Sequence, residues 1–212
     1  MNKITRNVVA CLIGLSIISC TKVPITGRKQ LKLLPDSMMA EMGQTNYAAF
    51  LKENPAVSPP TRQSAEVTAV GLRISKAVEK YMKDNNLSQK IAGYKWEFNV
   101  VDSKEVNAWC MPGGKVVVYT GILPLTKDDA GLAVVMGHEI AHAIADHGNE
   151  RMSQELAVQA AGIGLQVFMQ TKPQATQDIF MSSFGVGSQL GILAYSRQHE
   201  LEADKLGLVF MA

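Results

Sequence analysis

The chain has 212 residues, 47% of them hydrophobic and 19% charged, which suits one globular domain with its own core and excludes a disordered chain. Its formal charge is +2, and Lys3 and Arg6 account for it, because no acid precedes Cys20 and the remainder is balanced. No basic block with interleaved aromatic residues occurs, so composition excludes a nucleic-acid partner.

Lys3 and Arg6 open a targeting segment. The apolar run from Val8 to Ile18 is shorter than the ~20 residues a membrane-spanning helix needs. It ends in Ile17-Ile18-Ser19-Cys20, the pattern of a lipobox, whose cysteine receives diacylglycerol. Residues 1–19 are therefore expected to be a lipoprotein signal peptide, with Cys20 the lipidation site and membrane anchor. Thr21, where an Asp would signal inner-membrane retention, favours the outer membrane. The expected location is the cell envelope, lipid-anchored and facing the periplasm. Cys11 falls in the removed segment and Cys20 carries the lipid, which leaves Cys110 without a disulfide partner. Cys110 is either a metal ligand or nucleophile, or a small apolar filler at a strand end; the lack of a CxxC partner favours the filler.

Residues 20–35, with Pro24, Gly27 and Pro35, read as a tether, and 36–212 as the domain. Asp36 can cap a helix through Met38, Met39, Met42 and Tyr47 to Leu51. Asn54 to Pro60 is a loop. Val67, Val70, Ile74, Ala77, Val78 and Tyr81 recur at three and four, which predicts a helix over 61–83, ended by Asn85-Asn86. The period then changes to two. Tyr94, Trp96, Phe98 and Val100 alternate with polar residues and predict a half-buried strand. Val106 to Cys110 is a second short strand, Met111-Pro112-Gly113-Gly114 a turn, and Val116 to Thr120 a third strand, buried on both faces. After Pro124 the chain reads as helical to its end, with Gly162, Gly164, Gly185 and Gly187 marking close packing or loops. The order predicts an α+β domain, mostly helical, with a small β-sheet beside the helix described next.

That helix carries His138-Glu139-Ile140-Ala141-His142. Thr126 or Asp128 can cap its start and Gly148 can end it. Leu132, Val135, Met136, Ile140, Ala143 and Ile144 form one apolar stripe, and His138 and His142 lie one turn apart on roughly the opposite face. Two imidazoles so spaced can converge on one zinc ion, and Glu139 can take a proton from water there. A catalytic zinc needs a third protein ligand. Ser196 can cap a second helix on which Glu200 and Asp204 share a face. Glu200 is the expected ligand, with Glu202 and His199 as alternatives. Asp204 is the expected partner of the second ring nitrogen of a zinc histidine, His138 first. His147, beside Gly148, is expected to face the helix dipole, and His199 to cap a helix or lie at the surface.

Gly137 to His142, Asp146-His147 and Glu200-x-x-Ala203-Asp204 together resemble the HtpX/BepA/LoiP-like zinc metallopeptidases, gluzincins related to the CAAX prenyl proteases. The resemblance covers residues 30 to 212. It implies a gluzincin-type domain, one Zn2+ per chain on His138, His142 and Glu200, and Glu139 as general base. Asn107-Ala108-Trp109 and the residues to Gly114 are similar to the family's edge strand above the zinc, where an extended substrate adds as another strand. The lipobox resembles the lipoprotein members, which implies a metalloendopeptidase acting on unfolded or misassembled cell-envelope proteins, with envelope assembly machinery as a partner. Members continue past the ligand helix. Leu206, Leu208, Val209, Phe210 and Met211 show no stop signal, so the native chain is expected to extend beyond Ala212, this one being less stable and less active. No oxyanion stabiliser is assigned; Tyr195 and Arg197 are the candidates. Two rivals differ in class: a zinc-stabilised chaperone that holds envelope proteins uncut, which the intact Glu139 disfavours, and an enzyme with an uncleaved membrane-spanning N-terminus, which Cys20 disfavours.

Overall fold

The computed structural model describes residues 20–24, 26–58, 60–186 and 195–211; the signal-peptide assignment to residues 1–19 lies outside them, as does Gly187. The stretch expected as a tether is folded. Strands β1 (Cys20–Lys22) and β2 (Lys29–Leu31) pair antiparallel, Cys20 opposite Leu31. Gly27 takes a left-handed φ of 68° in their turn, a conformation that costs glycine little.

Helix α1 (Asp36–Glu53) starts after Pro35 without a side-chain cap, so Asp36 is its first residue and not its cap. Its Gly43 lies against the Pro112 carbonyl, where an added Cβ would sit 2.3 Å away. Helix α2 (Arg62–Asp84) is closed by a capping box: Thr61 accepts from the Ser64 N–H, and the Ser64 hydroxyl accepts from the Thr61 N–H. Strands β3 (Glu97–Val101), β4 (Ala108–Met111) and β5 (Lys115–Tyr119) form a sheet in the order β3-β5-β4, with β3 parallel and β4 antiparallel to β5. The valine-rich β5 is central and buried on both faces, the pattern Val116-Val117-Val118 demands. Its Lys115 is also buried; Nζ donates to the Lys95 carbonyl at 2.6 Å and pairs with Glu97.

The period of two along each strand divides the core. Val100, Ala108, Cys110, Val116 and Val118 pack with α2 and with two later helices, α4 (Asp129–Ile144) and α8 (Arg197–Met211). Val101, Trp109, Met111, Val117 and Tyr119 pack on the other face with α1, α5 (His147–Gln159), α6 (Leu165–Thr171) and α7 (Pro173–Ser183). A short α3 (Leu123–Thr126) leads into α4. Cys110 is thus a buried core residue facing α4, far from free thiol chemistry: burial raises its thiol well above the ordinary value. Gly162 and Gly164, at φ of 89° and 86°, sit in the turn between α5 and α6. Among the described residues no helix is long and apolar enough to cross a membrane.

The chain after Pro124 is not one helical run. Asp128 caps α4, its carboxylate accepting from the Gly131 N–H at 2.8 Å. The helix stops at Ile144, short of Gly148, because Asp146 turns left-handed at φ 58°. Asp tolerates that region better than most residues. Here Lys32, 2.8 Å away, and Lys90 both pair with its carboxylate. Gly148 instead sits inside α5 beneath the Phe184 ring, which an added Cβ would meet at 2.1 Å.

Candidate metal centre

Helices α4 and α8 cross at Gly137 and Gly207. A Cβ on Gly207 would lie 3.2 Å from the Gly137 carbonyl carbon, so the two backbones meet almost directly. That crossing brings the acidic face of α8 onto the histidines of α4. His138 Nε2 and His142 Nε2 are 3.0 Å apart; Glu200 Oε2 is 3.3 Å from the first and Oε1 3.6 Å from the second. Ligand atoms ~2.0–2.1 Å from one zinc at tetrahedral angles lie roughly 3.3–3.4 Å from each other. The three residues match that spacing, and among the described residues they are the group able to hold a metal. Glu200 Oε1 is buried without a hydrogen-bond partner, as an atom reserved for a cation would be.

The electrostatics fit a cation as well. Burial lowers the His142 pKa well below the usual range, which keeps the ring neutral, the form that binds metal. Burial, and then the charge of Glu200, push Glu139 up to about 8, and burial also raises Glu200 itself. A bound dication would reverse both carboxylate shifts by opposite charge.

Asp204 Oδ1 lies 3.0 Å from His138 Nδ1, which leaves Nε2 for the metal. The other histidine is held by residues that the sequence reading placed elsewhere. His147 does not face the end of α4. It opens α5, is fully buried, and sets its Nδ1 2.9 Å from His142 Nδ1 and its Nε2 3.2 Å from Glu202 Oε2. His199 is not at the surface either: it is buried with Nε2 3.0 Å from Glu150 Oε2, while Ser196 accepts from its backbone N–H. Glu202, the alternative ligand, belongs to this second cluster and not to the metal group. Both of its carboxylate oxygens are engaged by His147, Thr26 and Arg28. Burial opposes ionisation of Glu150, but the hydrogen bonds from His199 and Arg28 outweigh it and hold the group at about 2.

Of the oxyanion candidates, Tyr195 packs against the metal group but turns its hydroxyl away, and Arg197 is exposed on α8. The Tyr195 hydroxyl donates to the Ser183 carbonyl at 3.0 Å, and its ring stacks on His142 with centroids 4.0 Å apart. Of the substrate-strand residues, Ala108 and Trp109 lie in the edge strand β4 and Asn107 just before it. The Trp109 side chain faces away from α4, edge-on to Phe50 at 5.0 Å, so its ring belongs to the opposite face of the sheet.

A partly buried group of two histidines and one carboxylate, with a further carboxylate beside the first histidine in the chain, has the composition of a zinc metallopeptidase centre. The chain belongs to peptidase family M48, whose model matches residues 70–212. It is 30% identical over its whole length to the mitochondrial metalloendopeptidase OMA1 of Saccharomyces cerevisiae, of which the match covers 61%. It is 30% identical over 90% of its length to the corresponding protein of Schizosaccharomyces pombe, with 52% of that protein covered. The β-barrel assembly-enhancing protease of Escherichia coli is 26% identical over 53% of this chain and 24% of its own length. The chain thus spans about half to three-fifths of the two yeast relatives. Those relatives correct the location read from the N-terminus. The long matches are to mitochondrial proteins, not to periplasm-facing lipoproteins of an outer membrane.

Proposed function

We propose that the chain is the catalytic domain of a zinc metalloendopeptidase that cuts unfolded or misassembled polypeptides at a membrane. The observation that carries this reading is the convergence of His138, His142 and Glu200, with Glu139 next to the first ligand. His138, His142 and Glu200 would hold one zinc, and Asp204 would orient His138. Zinc bound there supplies a Lewis acid for the scissile carbonyl and makes water acidic enough to ionise near neutral pH. Glu139 takes the proton from the attacking water and returns it to the departing amine, so acid and base are one residue in two states. The backbone of Asn107, Ala108 and Trp109 along β4 offers an extended chain a pairing edge, which favours unfolded substrates over folded ones. The name of the bacterial relative, a β-barrel assembly-enhancing protease, supports an assembly-machinery partner.

Cleavage of a reduced, unfolded test protein by the purified chain is expected to stop on complete zinc removal and to return at one zinc per chain. Cleavage that persists without zinc would overturn the reading. Binding of the test protein without cleavage, in the zinc-loaded state, would favour the holding chaperone instead.

Attachment to the membrane is proposed through lipid on Cys20, where the apolar run of the sequence ends and β1 begins. Mass spectrometry of the membrane-extracted protein should find Cys20 as the acylated N-terminus. An intact Met1, or an unmodified Cys20, would exclude this anchor.

A further inference from the structure

The β1–β2 hairpin precedes the residues that the family model matches, yet its turn reaches the buried cluster behind the metal group. Resting on the zinc reading above, we propose that Arg28 is a positioning residue for the metal, acting through Glu202 and His147 on the ligand His142.

With His142 Nε2 turned to the metal group, its N–H must be on Nδ1, which then donates to His147 Nδ1 at 2.9 Å. His147 in turn has its N–H on Nε2 and donates to Glu202 Oε2 at 3.2 Å. One allocation of protons satisfies both rings, and it needs Glu202 aimed at His147 as an acceptor. Arg28 holds that aim. Its Nε donates to Glu202 Oε2 at 2.8 Å, while Thr26 Oγ donates to Oε1 at 2.6 Å. The other edge of the guanidinium meets both oxygens of Glu150, at 2.9 and 2.6 Å. Arg28 therefore ties α5, which carries His147, to α8, which carries Glu200. The Arg28, Glu150 and Glu202 side chains are only 16%, 7% and 6% exposed, so the two carboxylates have little access to water and depend on the fork for their hydrogen bonds. A lysine there would keep the charge but lose the planar donor set that serves two carboxylates on two edges.

The test uses the full chain stripped of metal. Zinc affinity is read by competition with a chromophoric chelator, and site geometry by the visible absorption of the cobalt-substituted protein. Arg28→Lys and Arg28→Gln should weaken zinc by ~10–100-fold, the usual range for loss of an outer partner, and should alter the cobalt bands. Arg73→Ala, which breaks the exposed pair with Asp129, should change neither. Wild-type zinc affinity and wild-type cobalt bands in folded Arg28→Lys would overturn the proposal. So would failure of that charge-conserving variant to fold, since it would give Arg28 a purely structural role. If the wild type binds no zinc, or His142→Ala binds it as well as the wild type, the zinc reading itself has failed, whatever Arg28 does.

Discussion

Replacing Glu139 with Gln is expected to leave one zinc per chain and to slow cleavage of an unfolded protein by about a hundredfold or more. Gln keeps the shape and one carbonyl acceptor but cannot take a proton near neutral pH. The three ligand residues are untouched, so metal content and thermal stability should stay near wild type. Glu139 differs from a surface carboxylate in being pushed up to about 8 by burial and by Glu200 when no cation opposes it. Its proton affinity therefore depends on the metal, and rate and zinc content must be measured on the same sample. Undiminished cleavage with zinc bound would remove Glu139 from the chemistry.

Glu200→Ala is expected to lower zinc affinity well beyond the ~10–100-fold that loss of an outer partner costs. In the proposed site Glu200 supplies the oxygen corner of the ligand triangle, and its buried Oε1 has no hydrogen-bond partner. Glu202→Gln is the informative comparison. The two acids sit two residues apart on α8, and sequence alone left both open as ligands. In the structure Glu202 faces His147, Thr26 and Arg28, so its loss should fall in the outer-partner range. Metal titration of both variants decides the order. A Glu200→Ala protein with wild-type affinity would show that another group is the third ligand.

Local chemistry was legible along α4 and at the start of α8. In the apolar stripe Leu132, Met136, Ile140, Ala143 and Ile144 are buried and Val135 partly so, as its period demands, and Asp128 and Ser196 cap as short polar residues do before a helix. The spacing of Glu200 and Asp204 likewise brought both carboxylates to His138. The second cluster was not legible, for a definite reason. His147 follows His142 by five residues, and an unbroken helix would turn it roughly 140° away. Only the left-handed turn at Asp146 brings it back, and that turn is held by Lys32 and Lys90, both distant in sequence. Gly148 was the stronger stop signal on propensity, but its missing side chain makes room for Phe184 instead. The hairpin was missed because Pro24, Gly27 and polar neighbours have the composition of a linker. What argues against a linker is Arg28, whose partners lie 122 and 174 residues later.

That separation bears on when the site can exist. At roughly 5–20 residues per second of synthesis, Glu202 leaves the ribosome about 10–35 seconds after Arg28. Contacts between segments so far apart carry a large loop-closure entropy and form late. Over the last part of that interval, about 3–12 seconds, the nascent chain has its two histidines but neither the proposed carboxylate ligand nor the tie behind them. If the proposed preference for unfolded polypeptide holds, the enzyme is surrounded by substrate at its own birth, its own chain first. A centre whose proposed ligand Glu200 and whose tie Arg28–Glu202 lie so far apart in sequence would gain cutting power only after those segments have folded together.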